Sequence, residues 1–85
     1  MKKTYIKGET ETLVGDFTGV VYTEFVDKLA IRQATWSNNR WYTSREDYID
    51  GFGPTLLEGS LDDLDLSDSY EISADEFEQI WKESE

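Results

Sequence analysis

The stretch Gly19-Val-Val-Tyr-Thr-Glu-Phe-Val-Asp-Lys-Leu-Ala-Ile-Arg-Gln-Ala-Thr-Trp-Ser-Asn-Asn-Arg-Trp-Tyr-Thr43 decides the fold. Residues 19–26 and 29–36 are dense in β-branched and aromatic side chains, the signature of strands. Asp27-Lys28 reads as the turn between them. In Ser37-Asn38-Asn39-Arg40 two asparagines sit at the centre of a two-residue turn. A type I′ turn needs positive φ at both central positions, and Asn tolerates that better than any residue but Gly. This register sets Trp36 opposite Trp41 and Thr35 opposite Tyr42. Such aromatic pairs stabilise a hairpin by up to about 1 kcal/mol. An antiparallel meander over 19–44 follows. Antiparallel sheets usually bury one face and wet the other, so a cover is required.

The cover lies at the C-terminal end. Ser73-Ala74-Asp75-Glu76 is a capping box, with Ser73 at the N-cap and Glu76 at N3. Ile72 and Phe77 flank it as a hydrophobic staple. Asp75 and Glu76 in the first turn and Lys82 in the last suit the helix dipole. Phe77, Ile80 and Trp81 form one stripe, at spacings of three and four, that docks on the sheet. The helix is expected over 73–84.

Upstream of the meander, residues 3–7 and 11–17 are shorter candidate strands, punctuated by Gly8 and Gly15. Between sheet and helix, 50–70 reads as a loop. Asp50-Gly51-Phe52-Gly53-Pro54 forms a turn, and Ser60-Leu61-Asp62-Asp63 caps a short helical turn. The expected class is α+β: a single domain over 1–85, strands within 3–46, an antiparallel meander sheet of four or five strands, and a C-terminal helix packed on one face. Eighty-five residues make one domain and not two.

Composition excludes several functions. The chain is 38% hydrophobic and 14% aromatic, too apolar for a disordered acidic tail. It has no cysteine and no histidine. Disulfides and the usual zinc, haem or iron–sulfur ligand sets are therefore out, as is a His-dependent nucleophilic triad. Lysine could act as a base, but no serine–lysine spacing stands out. Carboxylate-only catalysis needs two acids across a cleft, and so small a domain has little room for one. A non-enzymatic role is expected, without cofactor. No apolar stretch follows Lys2-Lys3, so no signal peptide is expected. No run is long enough to span a membrane. The expected location is the cytoplasm.

Charge is the strongest functional signal. The formal net charge is −11. Residues 1–45 hold seven basic and five acidic side chains, whereas residues 46–85 hold Lys82 alone against fourteen acids. Such a surface repels nucleic acid and anionic membranes and attracts basic proteins. The simplest alternative is that the acids only keep a small protein soluble.

Three binding readings follow. In the first, the acidic second half meets a basic protein surface through Asp62, Asp63, Asp65 and Asp68, with Tyr48, Phe52 and Tyr70 as aromatic anchors. Inhibitors and immunity-type proteins work in this way, placing carboxylates where a basic enzyme expects phosphates. In the second, Arg32, Arg40 and Arg45 with Trp41 present a base-stacking, phosphate-binding hairpin; the net charge disfavours it. In the third, Asp65, Ser67, Ser69, Glu71, Ser73 and Glu76 occupy positions 1, 3, 5, 7, 9 and 12 of a calcium loop resembling an EF-hand. There, Tyr70 stands where the sharp turn wants Gly, and no incoming helix or second loop is evident.

Several short motifs also resemble a family of small uncharacterised bacterial domains. They are Tyr22-Thr23-Glu24, Arg32, Arg40 to Tyr42 with Ser44-Arg45, Leu56-Leu57-Glu58, and the closing Ile72-Ser73-x-x-Glu76-Phe77-Glu78-x-x-Trp81. The likeness spans roughly 20–82. It implies a free-standing intracellular domain, and it carries no activity or site residues with it.

Overall fold

The computed structural model describes residues 2–10, 19–37, 39–46, 48–50, 53–56, 60–63 and 69–85. In chain order the elements are β1 (Lys3–Thr10), β2 (Gly19–Val26), β3 (Leu29–Ser37), β4 (Arg40–Thr43), β5 (Tyr48–Ile49), β6 (Gly53–Pro54), a 3₁₀ turn (Leu61–Asp63), β7 (Ser69–Ile72) and α1 (Ala74–Glu83). Five strands form one antiparallel sheet in the order β4-β3-β2-β1-β7, and β5 and β6 pair as a separate two-stranded ribbon. The α+β class, with a five-stranded sheet and the C-terminal helix against it, is as expected.

The meander forms where the sequence places it. Asp27 and Lys28 have φ of 50° and 74°, so the β2–β3 turn carries positive φ at both central positions, as a type I′ hairpin requires. Asn39 has φ 62°. Trp36 faces Trp41 and Thr35 faces Tyr42. Between Glu24 and Phe25 the β2–β3 register shifts by one residue: Phe25 pairs with Ala30 but Glu24 pairs with Arg32. A one-residue slip moves every later side chain to the opposite face. The bulge at Ile31 thus puts Arg32, Ala34 and Trp36 on the same face as Glu24, Tyr22 and Val20. That face receives the helix.

α1 begins as its capping signature demands. Ser73 is extended (φ −77°, ψ 158°), and its Oγ accepts the Glu76 N–H at 3.1 Å. Phe77 is fully buried, with its ring 5.3 Å from Tyr5 and 6.2 Å from Trp81. With Tyr5, Tyr22 and Ile72 it forms the core, and Val20, Trp41, Ile80 and Trp81 pack round it. Of the stripe read from the sequence, Phe77 is the anchor and Trp81 is only half-buried.

Three expectations need correction. The segment read as a crossover loop contains a sheet strand: β7 pairs antiparallel with β1, Tyr5 with Ile72 and Lys7 with Tyr70. The chain therefore leaves the sheet at the β4 edge and returns at the other. The same segment also holds β6, which pairs with β5 just ahead of it, while the short helical turn appears as the 3₁₀ turn. Lastly, the face away from α1 is not wet. Phe25, Thr35, Tyr42, Thr23 and Gln33 on it are all buried. The described parts of 44–63 are tied to the sheet: Ser44 N–H donates to Gln33 O at 2.9 Å and Leu61 N–H to Lys28 O at 2.8 Å. Leu29 also bridges to Ser60. Buried Thr55 donates through Oγ1 to Glu46 O. The candidate strand 11–17 lies outside the described residues.

Candidate functional site

Where α1 ends over the β3–β4 hairpin, the helix-side face opens into a groove of about 330 Å³. Val20 and Tyr22 from β2, Trp36 from β3, Trp41 from β4, and Ile80 and Glu83 from α1 line it. Ile80 and Glu83 share a helix face because they are three residues apart. Trp36 and Trp41 are T-shaped, with centroids 5.0 Å apart, and Tyr22 lies 6.0 Å from Trp41. Trp36 keeps 39% of its surface exposed, although it sits beside the core. The groove is an apolar floor with a carboxylate at its edge. The sequence reading missed it, having treated the two tryptophans as a hairpin pair and Trp41 as a base-stacking residue beside the arginines. The signal was present in the register, which places both on one face.

The three arginines of the proposed nucleic-acid face do not converge. Arg32 lies under α1. Its Nε donates to Glu24 Oε1 at 2.5 Å and its Nη2 to Glu78, and its guanidinium carbon is 5.1 Å from the Phe77 ring and 5.2 Å from Trp81. Glu24 is almost wholly buried. Burial alone would raise its pKa, but hydrogen bonds from Arg32 and the Tyr5 hydroxyl prevail and hold it below the usual glutamate value. The same bond to Glu24 drives Arg32 upward, and burial with the Glu24 contact raises Tyr5. Arg45 closes the other end of the helix: Nη1 donates to Ser84 Oγ at 2.8 Å, Nη2 to Trp81 O at 2.5 Å, and the guanidinium stacks 3.8 Å from the Trp81 ring. A cation on the last carbonyls complements the helix dipole. Arg40 is on the opposite sheet face, 4.7 Å from Tyr42. Trp41 belongs to the groove. Two of the three arginines thus fasten the helix rather than form a phosphate-binding surface.

The described part of the candidate calcium loop is not a loop. Ser69 and Glu71 are in β7, extended and paired with β1, Ser73 is the helix N-cap, and Glu76 is in the first turn. An EF-hand needs this stretch to curl round an ion, and pairing with β1 keeps it straight. Asp65 and Ser67 lie outside the described residues. Among the described residues no group of three acidic side chains is placed to hold a metal.

The residues proposed to bind a partner do not form one patch among those described. Asp62 is exposed and pairs with Lys28 Nζ at 2.8 Å, near the β2–β3 turn, where Lys2 N–H donates to Asp27 at 3.0 Å. A smaller hollow of about 250 Å³, lined by Lys2, Thr4, Asp27, Lys28 and Leu61, sits there. Tyr70 is 58% exposed and lies with Lys7, whose pKa its hydroxyl raises by hydrogen bonding. Lys7 is five residues along β1 from Lys2, so Tyr70 and Asp62 do not share a patch. Tyr48 is exposed on β5. Asp63 is in the 3₁₀ turn, whereas Phe52, Asp65 and Asp68 lie outside the described residues.

No helix among the described residues is long and apolar enough to cross a membrane. The sequence matches no protein-family model, and comparison with curated proteins and with solved structures likewise finds no match.

Proposed function

We propose that this chain is a small acidic protein-interaction domain of the inhibitor or immunity type, acting in the bacterial cytoplasm by binding a basic protein partner rather than by catalysis. One observation carries the reading: several basic groups are engaged by partners within the chain, while many acids are exposed and have no ion pair with a described residue. Arg32 and Arg45 fasten α1, and Lys28 meets Asp62. In contrast, Glu46, Asp50, Glu71, Asp75, Glu76, Glu83 and Glu85 are exposed and have no ion pair with a described residue. An uncompensated negative field of this kind speeds encounter with a positive surface and excludes anionic ones. The same fact sets aside the nucleic-acid reading, which needs free arginines on a common face.

The test is capture of the tagged chain's partners from source-cell lysate at low and at moderate salt, with mass spectrometry and nucleic-acid detection on the eluate. The expected result is one basic protein, retained stoichiometrically, weakened by salt, and lost when Asp62, Asp63, Asp65 and Asp68 are changed to Asn. Recovery of RNA or DNA, or capture indifferent to those four substitutions, overturns the reading.

A further inference from the structure

The groove between the end of α1 and the β3–β4 hairpin combines two unmatched features. The first is a pair of indoles without a cation. Other aromatics of the chain are supplied with one: Arg45 on Trp81, Arg32 on Phe77, Arg40 on Tyr42, and Lys7 beside Tyr70 and beside Tyr22 at the groove's own margin. Among the described residues, none reaches Trp36 or Trp41. The second is a carboxylate without a partner. Glu83 lines the same groove, is exposed, and makes no ion pair with a described residue.

We propose that this groove receives an arginine side chain of the partner, its guanidinium on the Trp36–Trp41 pair and against Glu83, with the neighbouring apolar side chain of the partner on Ile80 and Val20. The inference rests on the basic-partner reading and names the place where that partner is gripped. Arginine fits better than lysine. Its guanidinium is planar and weakly hydrated, so it stacks on an indole while its edge donates to a carboxylate. The molecule already builds this arrangement internally, where Arg45 lies on Trp81 and donates to two oxygens beside it. Charge complementarity selects the occupant: Glu83 is the charged side chain that lines the groove, so a cation is favoured there and an acidic segment is repelled.

The test is NMR titration of the full chain, following the indole N–H signals of Trp36, Trp41 and Trp81. The probe is a short peptide alternating leucine and arginine, and the controls carry glutamine or glutamate in place of arginine. Saturable shifts of Trp36 and Trp41 with the arginine peptide alone are expected. Glu83→Gln, on an exposed position near the helix end, weakens binding about twofold to fivefold, the range of an exposed ion pair. Trp36→Leu, which keeps an apolar contact but removes the π-face, weakens it about as much. Equal binding of the glutamine peptide, or no effect of Glu83→Gln, overturns the proposal. So do shifts that depend on protein concentration without peptide, which assign the groove to a second copy of the chain. If the arginine peptide moves the backbone signals of Asp62 or Asp75 but neither indole, the groove fails and the basic-partner reading stands. If it moves nothing, both fail.

Discussion

Replacing Arg32 by methionine should reverse the sign with which one buried glutamate responds to pH. Glu24 is 1% exposed, and Arg32 donates to it at 2.5 Å. Removing one member of a buried pair leaves a charge without its counter-ion, at a cost of about 3–5 kcal/mol. The Arg32 side chain is 27% exposed and also meets exposed Glu78, so the low end applies, about 3 kcal/mol near neutral pH. Methionine keeps the apolar stem that covers Phe77 and Trp81, which limits the packing loss. A domain with a stability on the order of 5–10 kcal/mol still folds, with Tm lowered by roughly 10–20 °C.

The pH dependence distinguishes this cause from ordinary packing damage. In the native protein the folded pKa of Glu24 is depressed. Its contribution is therefore present above the unfolded value, near 4.3, and lost as pH falls through the lower folded value. In the variant, burial acts without Arg32 and raises the folded pKa above the unfolded one. The stability contribution is then complete below about pH 4 and lost as pH rises through the folded value. The deficit of the variant relative to the native chain must shrink on acidification. Taking the difference cancels the self-repulsion common to both. Urea unfolding followed by tryptophan fluorescence, at several values between about pH 4 and 7, measures it. A deficit that stays constant or grows towards acid refutes the reasoning. Glu24→Gln added to Arg32→Met should restore most of the loss, since a neutral pair carries no stranded charge.

Two further outcomes test the packing. Phe77→Ala, at a fully buried position between Tyr5 and Trp81, should cost about 3–5 kcal/mol in urea unfolding and detach α1; the half-buried Trp81 should cost less. Gly19→Ala should lower Tm even though it sits at a strand end, because an added Cβ would lie 2.1 Å from the Trp36 carbonyl oxygen, and a forced backbone shift costs about 1–3 kcal/mol.

What the sequence made legible was local. The positive φ at Asn39, the Trp36–Trp41 register and the Ser73 cap are each decided within a few residues by turn and cap chemistry; Asn38 lies outside the described residues. β7 was legible in principle: Tyr70 and Ile72 alternate with polar Ser69 and Glu71, a strand signature. The adjacent acids and serines drew attention to a cation loop instead. The bulge at Ile31, the capping of α1 by Arg45 and the burial of the second sheet face depend on contacts between segments far apart in sequence, which no window shows. The same distance explains the failure of the arginine hairpin. Three basic residues within fourteen positions look like one surface, but strand alternation and the bulge send Arg32 and Arg40 to opposite faces, and α1 claims Arg32 and Arg45.

That allocation also bears on function. Had the helix been fastened by apolar contacts alone, the two arginines would be free to meet acids on the outer surface. Because Arg32 and Arg45 are drawn under and round α1, that helix is left with Asp75, Glu76 and Glu83 exposed and without ion pairs to described residues, and Glu83 lines the open Trp36–Trp41 groove. The use of these arginines to hold α1 and the exposed negative charge are thus one arrangement, and a ligand suited to the groove must bring the cation that the protein has used elsewhere.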